Sequence, residues 1–119
     1  MKEGDIVLTP LPQSDGRIKS RPALFLCKLP PFADCLLCGI STQVHQAVPK
    51  FDEIVSSGDS DFKDSGLVEA SVIRLGFLGV VPQKKIIGSI SKIDRSRHRR
   101  LLTNLSEHLS AISREIDKH

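Results

Sequence analysis

Apolar runs separated by polar or proline-containing breaks occupy most of the chain before its C-terminal region. The run at 22–29 is almost continuously apolar, which is typical of a strand buried on both faces. A second apolar run at 35–42 follows the break at Pro30-Pro31, so the two runs are predicted to pair as antiparallel strands. A shorter strand is predicted at 5–9.

Glycines interrupt the next long apolar stretch. Residues 67–81 are rich in β-branched side chains but contain Gly76 and Gly79, which predicts a long strand that bends or bulges at a glycine. Another strand is predicted at 85–90, and a short apolar stretch occurs at 51–55.

Two segments between these runs are polar. Residues 11–20 lack periodicity and contain Asp15-Gly16, which predicts an exposed loop. Residues 56–65 are polar and are predicted to form turns.

The pattern becomes helical near the C-terminus. Apolar residues recur there at spacings of three and four, which places them on one face of a helix. These residues are Leu101, Leu105, Leu109, Ile112 and Ile116. Asp94 is the predicted N-cap, with Ser91 as the competing choice, and the helix is expected at about 94–117. Several strands followed by one terminal helix predict a mainly β fold, a small β-barrel with an appended helix.

The length and composition favour a single soluble domain. A chain of 119 residues has room for one core. No apolar run approaches the ~18 residues that a membrane span needs. The first residues are not expected to form a signal peptide, and three cysteines are a poor disulfide framework. We therefore expect a cytoplasmic protein with no membrane association.

The net charge of +3 is unevenly distributed. Basic residues gather late in the chain, at Lys84-Lys85 and at Lys92, Arg95, Arg97, Arg99 and Arg100. Such a cluster can neutralise phosphates of a nucleic acid. A solvated helix face is an equally good interpretation.

Arg21 is the leading candidate for phosphate binding. It lies where a polar loop meets a buried strand, so its backbone is anchored while its guanidinium can face a groove. A planar bidentate donor suits phosphate oxygens. The alternative is a surface ion pair, for example with Asp15. Ser41 and Thr42 end the next strand, where hydroxyls bind phosphate or form a turn.

His45 and the pair Cys35-x-x-Cys38 are further candidates for chemistry. His45 is a candidate acid–base residue, but on a straight strand four residues would separate it from Ser41 by ~13 Å. A turn after Gln43 would bring the two together. The cysteines of a strand would point to opposite faces, so buried structural thiols are favoured over a zinc site.

Four short motifs occur in a fixed order: Gly4-Asp5-Ile6-Val7, Arg21-Pro22-Ala23-Leu24, Ile40-Ser41-Thr42-Gln43 and residues 67–74. Their order and separations resemble the MazF/PemK family, toxins of toxin–antitoxin pairs that cut single-stranded RNA. The resemblance implies one domain over 1–119, a Src-homology-3-like β-barrel of the MazF/CcdB kind with a C-terminal helix. It also implies a homodimer with an RNA groove near the interface, and an antitoxin that covers this groove with an acidic segment.

The resemblance also implies site residues. Arg21 matches the catalytic arginine of the family, Ser41 matches an active-site threonine, and Glu69 falls on the strand that bears an acidic residue. No metal or other cofactor is expected, because the 2′-hydroxyl of RNA can itself attack the neighbouring phosphate. Residues expected to hold RNA are Arg17, Lys19, Thr42, Gln43 and His45.

The chain departs from the family pattern at three points. The loop before Arg21 lacks the Glu-Gln-x-Gly pattern, Leu67 stands where some members have arginine, and the chain has neither Trp nor Tyr. The function expected is a sequence-selective endoribonuclease toxin. The alternatives are a non-catalytic barrel that binds only its antitoxin or RNA, and a CcdB-like gyrase poison.

Overall fold

The structure is a computed structural model, and it describes residues 1–12 and 15–118. Its strands are β1 (Asp5–Pro12), β2 (Ile18–Leu29), β3 (Asp34–Ser41), β4 (Glu53–Val55), β5 (Ser71–Val81) and β6 (Gly88–Lys92). Its helices are α1 (Phe62–Ser65) and α2 (Arg95–Asp117). All strand pairs are antiparallel, and the strand order is β4-β5-β3-β2-β1-β6. The mainly β prediction is confirmed, as a sheet curled into a half-barrel with a C-terminal helix.

The two faces of this sheet bury different side chains. On the helix face, Leu24, Ile40 and Ile73 form a core with Leu101 of α2. On the opposite face, Ala23, Phe25 and Leu37 form a second buried cluster. This alternation follows from the two-residue period of a strand and explains why the run in β2 is continuously apolar.

Helix α2 begins where the sequence predicted. The Asp94 side chain accepts hydrogen bonds from the backbone N–H and the hydroxyl of Ser96, at 3.5 and 2.7 Å, as an N-cap does. The first half of α2 packs on the sheet through Leu101, Leu102 and Leu105. Its second half is exposed, including three apolar residues: Leu109, Ile112 and Ile116.

A buried ion cluster fixes α2 to the sheet. The Arg97 guanidinium lies 2.8 Å from Asp61, 3.0 Å from Glu53 and 3.2 Å from Asp59. It also donates a hydrogen bond to the Ile54 carbonyl at 3.0 Å. The side chains of Arg97 and Asp61 are both more than nine-tenths buried. The phosphate-binding interpretation of the basic cluster is therefore wrong for Arg97, and Arg100 also pairs with Glu53, at 2.9 Å.

The hairpin between β1 and β2 is longer than predicted. The loop expected at 11–20 is replaced by strand pairing that continues to Pro12 opposite Ile18, and residues 13 and 14 of that loop lie outside the described residues. Beyond Leu8 the pairing of β1 with β6 stops, and Ile87 donates to the outward-facing Leu8 carbonyl at 2.9 Å. The backbone nitrogen of Pro10 points outward on the same side as the Leu8 carbonyl, because the two residues are two apart on the strand. The missing N–H of Pro10 therefore costs no hydrogen bond within the sheet.

Two further boundaries differ from the prediction. Strand β5 begins at Ser71 rather than at 67, because Gly66 ends α1 in a left-handed conformation (φ 71°) and a bend follows. The strand expected at 85–90 is shifted to Gly88–Lys92, because residues 83–85 form a turn of 3-10 helix. Among the described residues no helix is both long and apolar enough to cross a membrane.

Loss of Arg97 is expected to destabilise the fold strongly. In Arg97→Leu the buried Asp61 carboxylate loses its cation, which costs about 3 kcal/mol or more of unfolding free energy. Urea unfolding of this variant beside Arg99→Leu, an exposed position of the same helix, measures the difference. Equal unfolding midpoints would show that the cluster contributes no stability.

Stability is also expected to fall at acid pH. Hydrogen bonds from Arg97 lower the pKa of Asp61, against the opposing effect of its burial. The pKa of Asp61 is therefore lower in the folded protein than in the unfolded chain, where it has the ordinary value of about 3.9. As the pH falls, the unfolded chain binds the proton first. The stabilisation is therefore present at neutral pH and is lost as pH falls through the lowered pKa. Urea unfolding between about pH 7 and about pH 3 should show a shallower decline for Asp61→Asn than for the exposed control Asp64→Asn. Parallel declines would contradict the assignment to Asp61.

Candidate functional site

Arg21 and Ser41 lie at facing positions of neighbouring strands. The last pair of the β2–β3 ladder is Ala23 with Gly39, and Arg21 and Ser41 follow two residues further along their strands. Both therefore lie on the opposite face of the sheet, away from α2. The ladder ends there because Pro22 has no N–H to donate. The Arg-Pro motif thus places the guanidinium where two strands begin to separate.

Thr9 is the cross-strand partner of Arg21 on β1. It is fully buried, whereas Arg21 is exposed. Within the described part of the chain the Thr9 hydroxyl has no hydrogen-bond partner. Thr9 is not among the residues predicted from the sequence, although its two-residue spacing from the buried Val7 places it on the same face.

The Ser41 hydroxyl already forms one local contact. Its oxygen accepts a hydrogen bond from the Gln43 N–H at 3.0 Å, so the turn-forming role is present. The hydroxyl proton is not used in that bond and can be donated to a ligand oxygen. A 3-10 turn at Val44–Gln46 follows at once, so the chain does not continue straight. Thr42, Gln43 and His45 are exposed along this turn.

A groove of about 230 Å³ brings Ser41, Thr42 and Glu69 together. We call it the Ser41–Glu69 groove. It lies at the end of β3, and Pro22 and Ile40 line its apolar side. Neither Arg21 nor His45 lines it, although the neighbour of Arg21, Pro22, does.

Glu69 reaches this groove from a loop. The prediction that it lies within a strand is wrong, because β5 begins two residues later. The Glu69 side chain is exposed, and its carbonyl accepts a hydrogen bond from the Ser71 hydroxyl at 3.0 Å. Before it, a side chain at Gly66 would lie 3.2 Å from the Ser91 hydroxyl, so this turn requires glycine. Because the Glu69 carboxylate is exposed, it can reach a bound ligand and accept a proton from it.

The remaining predicted RNA-binding residues lie on the β1–β2 hairpin. Lys19 is exposed and pairs with Leu11 across the hairpin. By strand alternation Lys19 shares the face of Arg21 and Ser41. Arg17 forms an ion pair with Asp15 at 3.5 Å, but its side chain remains 86% exposed. Asp15 therefore has Arg17 as its partner, and an exposed pair of this kind is weak.

The site thus has two sides that meet at Ser41. Arg21, Lys19 and Ser41 share one face of the sheet, while Glu69 and Thr42 border the groove at the strand end. Ser41 belongs to both groups because it is the last residue of β3.

Cys35 and Cys38 are buried in the sheet and do not belong to this site. Cys35 is buried in the cluster with Phe25, and Cys38 in the core with Leu24, so they face opposite sides of the sheet as predicted. Burial, together with the charge of Asp52, raises the pKa of the Cys38 thiol, which disfavours the thiolate that a metal needs. Among residues 1–12 and 15–118, no group of three or more His, Cys, Asp or Glu side chains is arranged to hold a metal ion.

His98 of α2 contacts both the sheet and the N-terminal Gly4. His98 is partly buried, and its Nε2 lies 2.8 Å from the Leu26 carbonyl oxygen, to which it donates as the Nε2–H tautomer. Its Nδ1 lies 3.1 Å from where a side chain at Gly4 would begin. The first glycine of the N-terminal motif therefore has a packing role.

No model of a known protein family matches the chain, and no curated protein has a significantly similar sequence. The resemblance to the MazF/PemK family stays a prediction from short motifs.

Proposed function

We propose that the protein is a metal-independent endoribonuclease toxin that cuts single-stranded RNA in the cytoplasm. The main support is the position of Arg21 and Ser41, which lie on the same face of the sheet, each two residues beyond the last pair of the β2–β3 ladder. A cation and a hydroxyl on one face of separating strands suit the two oxygens of a phosphodiester.

The reaction needs only the substrate and a few side chains. The 2′-oxygen attacks phosphorus, a bond from it to phosphorus forms, and the bond from phosphorus to the 5′-oxygen breaks. The 2′-hydroxyl gives up a proton and the leaving 5′-oxygen takes one up from solvent, so the products are a 2′,3′-cyclic phosphate and a 5′-hydroxyl. Removing the 2′ proton and neutralising charge on the non-bridging oxygens lower the barrier.

Each site residue has one role in this proposal. Arg21 neutralises the charge that develops on the phosphate, and the Ser41 hydroxyl donates to one of its oxygens. Glu69, which borders the same strand end, takes up or orients the 2′ proton. Thr42, Gln43 and His45 contact the substrate beyond the strand end.

The hairpin supplies the remaining contacts to RNA. Lys19 and Arg17 extend the cationic surface from Arg21 towards the tip of the β1–β2 hairpin. Phosphate contacts of this kind give affinity without sequence information.

Two protein partners belong to the same proposal. One is a cognate antitoxin whose acidic segment pairs with the cationic face. The other is a second copy of this chain, for which the exposed apolar stripe of Leu109, Ile112 and Ile116 offers a surface.

Arg21→Ala is expected to lower RNA cleavage by about 10²–10³-fold, because a fixed donor to the transition state is lost. The measurement incubates purified protein with long single-stranded RNA in excess EDTA and analyses the fragment ends. Arg114→Ala, an exposed position near the end of α2, is the matched control. Cyclic phosphate ends that disappear only in Arg21→Ala support the proposal. Undiminished cutting by that variant rejects the role of Arg21, and RNA left intact by the wild type favours a barrel that only binds.

Ser41→Ala is expected to slow cleavage about tenfold, the cost of one lost hydrogen bond to a charged group. Ser41→Thr keeps the hydroxyl and should restore the rate. If Ser41 acted only in its turn, the alanine and threonine variants would cleave at the same rate. Single-turnover rates at saturating protein measure the effect. Equal rates for the alanine and threonine variants would remove Ser41 from the reaction.

A further inference from the structure

Arg74 is a partly buried cation on β5. It pairs with Gly39 across β5 and β3, and it lies between Ile73 and Leu75, which face α2. Its side chain is therefore on the opposite face, the face of Arg21 and Ser41. Within the described residues, its guanidinium forms no hydrogen bond or ion pair. A cation held in this way is available to an anionic ligand.

An aromatic ring lies over Gly39, the cross-strand partner of Arg74, because β5 bulges. Arg74 pairs with Gly39 and Leu78 pairs with Cys38, so the three residues between them have no counterpart on β3. The bulge brings the Phe77 ring over Gly39, where a Cβ atom at position 39 would lie 2.8 Å from the ring. Only glycine at that position permits this contact, and the Phe77 side chain remains 41% exposed.

The ring and the cation adjoin the Arg21–Ser41 position. Gly39 precedes Ser41 by two residues on the same face, and its partner Ala23 follows Arg21 by two. Two residues of a strand span about 6.6 Å. Arg21 on β2 and Arg74 on β5 are also two strand spacings apart, at about 4.8 Å each, so their Cα atoms are roughly 12 Å apart. Their long side chains can reach towards each other, so neighbouring phosphates of an extended strand can lie one at Arg21 and one at Arg74, across a floor of small residues.

Phe77 is also the ring best placed for a base. Phe25 is fully buried, Phe51 packs on His108, and Phe62 packs on the core. Phe32 is exposed, but it lies in the turn between β2 and β3, at the far end of β3 from Ser41. Exposed rings beside cationic side chains are how proteins bind single-stranded nucleic acids without strong sequence preference.

We propose that Phe77 and Arg74 form a nucleotide subsite, in which a base stacks on Phe77 and its phosphate pairs with Arg74. The subsite holds the nucleotide next to the scissile phosphate, and this assignment rests on the proposed ribonuclease function. It gives the chain a stacking platform although it lacks Trp and Tyr.

The test separates binding from cutting. Binding is measured by fluorescence anisotropy with a short, labelled 2′-O-methyl RNA of mixed sequence, which has no free 2′-hydroxyl and cannot be cleaved. Variants are Phe77→Leu, Phe77→Tyr and Arg74→Gln, with Phe32→Leu and Arg114→Gln as controls at exposed positions outside the site. Circular dichroism of each variant verifies the fold, and cleavage of unmodified RNA is measured in parallel.

Loss of the ring is expected to raise the Kd about tenfold in Phe77→Leu, with recovery in Phe77→Tyr and no change in Phe32→Leu. Arg74→Gln is expected to make the plot of log K against log salt concentration shallower by about 0.7, the value for one phosphate contact on a single strand. Arg114→Gln should keep the wild-type slope.

Three results distinguish this subsite from the proposed function. Normal cleavage with unchanged Kd in Phe77→Leu and unchanged slope in Arg74→Gln overturns the subsite and leaves the ribonuclease proposal standing. Binding that depends on both residues, without cleavage by the wild type, supports the subsite and overturns the nuclease. Neither binding nor cleavage by the wild type overturns both.

Discussion

The ion cluster around Arg97 holds the start of the segment that carries Glu69 to the site. Arg97 joins α2 to Glu53 on β4 and to Asp61, which directly precedes α1. From Asp61 the chain runs through α1 and Gly66 to Glu69. The position of this carboxylate at the end of β3 therefore depends on a cation 36 residues away in sequence from Asp61. Burying such a charge is costly unless its partners are all in place, so the cluster favours one arrangement of loop and helix.

The sheet itself determines the position of Arg21. Its neighbours across the strands are set by hydrogen-bonded pairs, and Pro22 ends one ladder where Arg21 begins to separate from Ser41. One side of the site is thus positioned by backbone pairing and the other by a loop held through Arg97. A ligand that contacts both Arg21 and Glu69 would bridge two parts of the molecule with different sources of rigidity.

The sequence predicted what depends on local pattern. The apolar runs of β2 and β3, the apolar stripe and the Asp94 cap of α2 were all found where expected. The sequence did not reveal features that depend on distant partners. A basic run on a helix looks the same whether it meets solvent or, as with Arg97, three carboxylates of another segment. The bulge that places Phe77 over Gly39 likewise depends on the register between β3 and β5, although Gly76 marked the place where the strand would bend.

The proline content of the β1–β2 hairpin also affects how the molecule meets its own copies. Beyond Leu8 this hairpin has a free edge, and such edges recruit strands from other chains and lead to aggregation. The residues of β1 whose backbone N and C=O groups point outward, on the same side as the Leu8 carbonyl, are Leu8, Pro10 and Pro12. Two of these three residues have no N–H to offer. The hairpin can therefore present its cationic face to a ligand while its edge resists pairing with another strand.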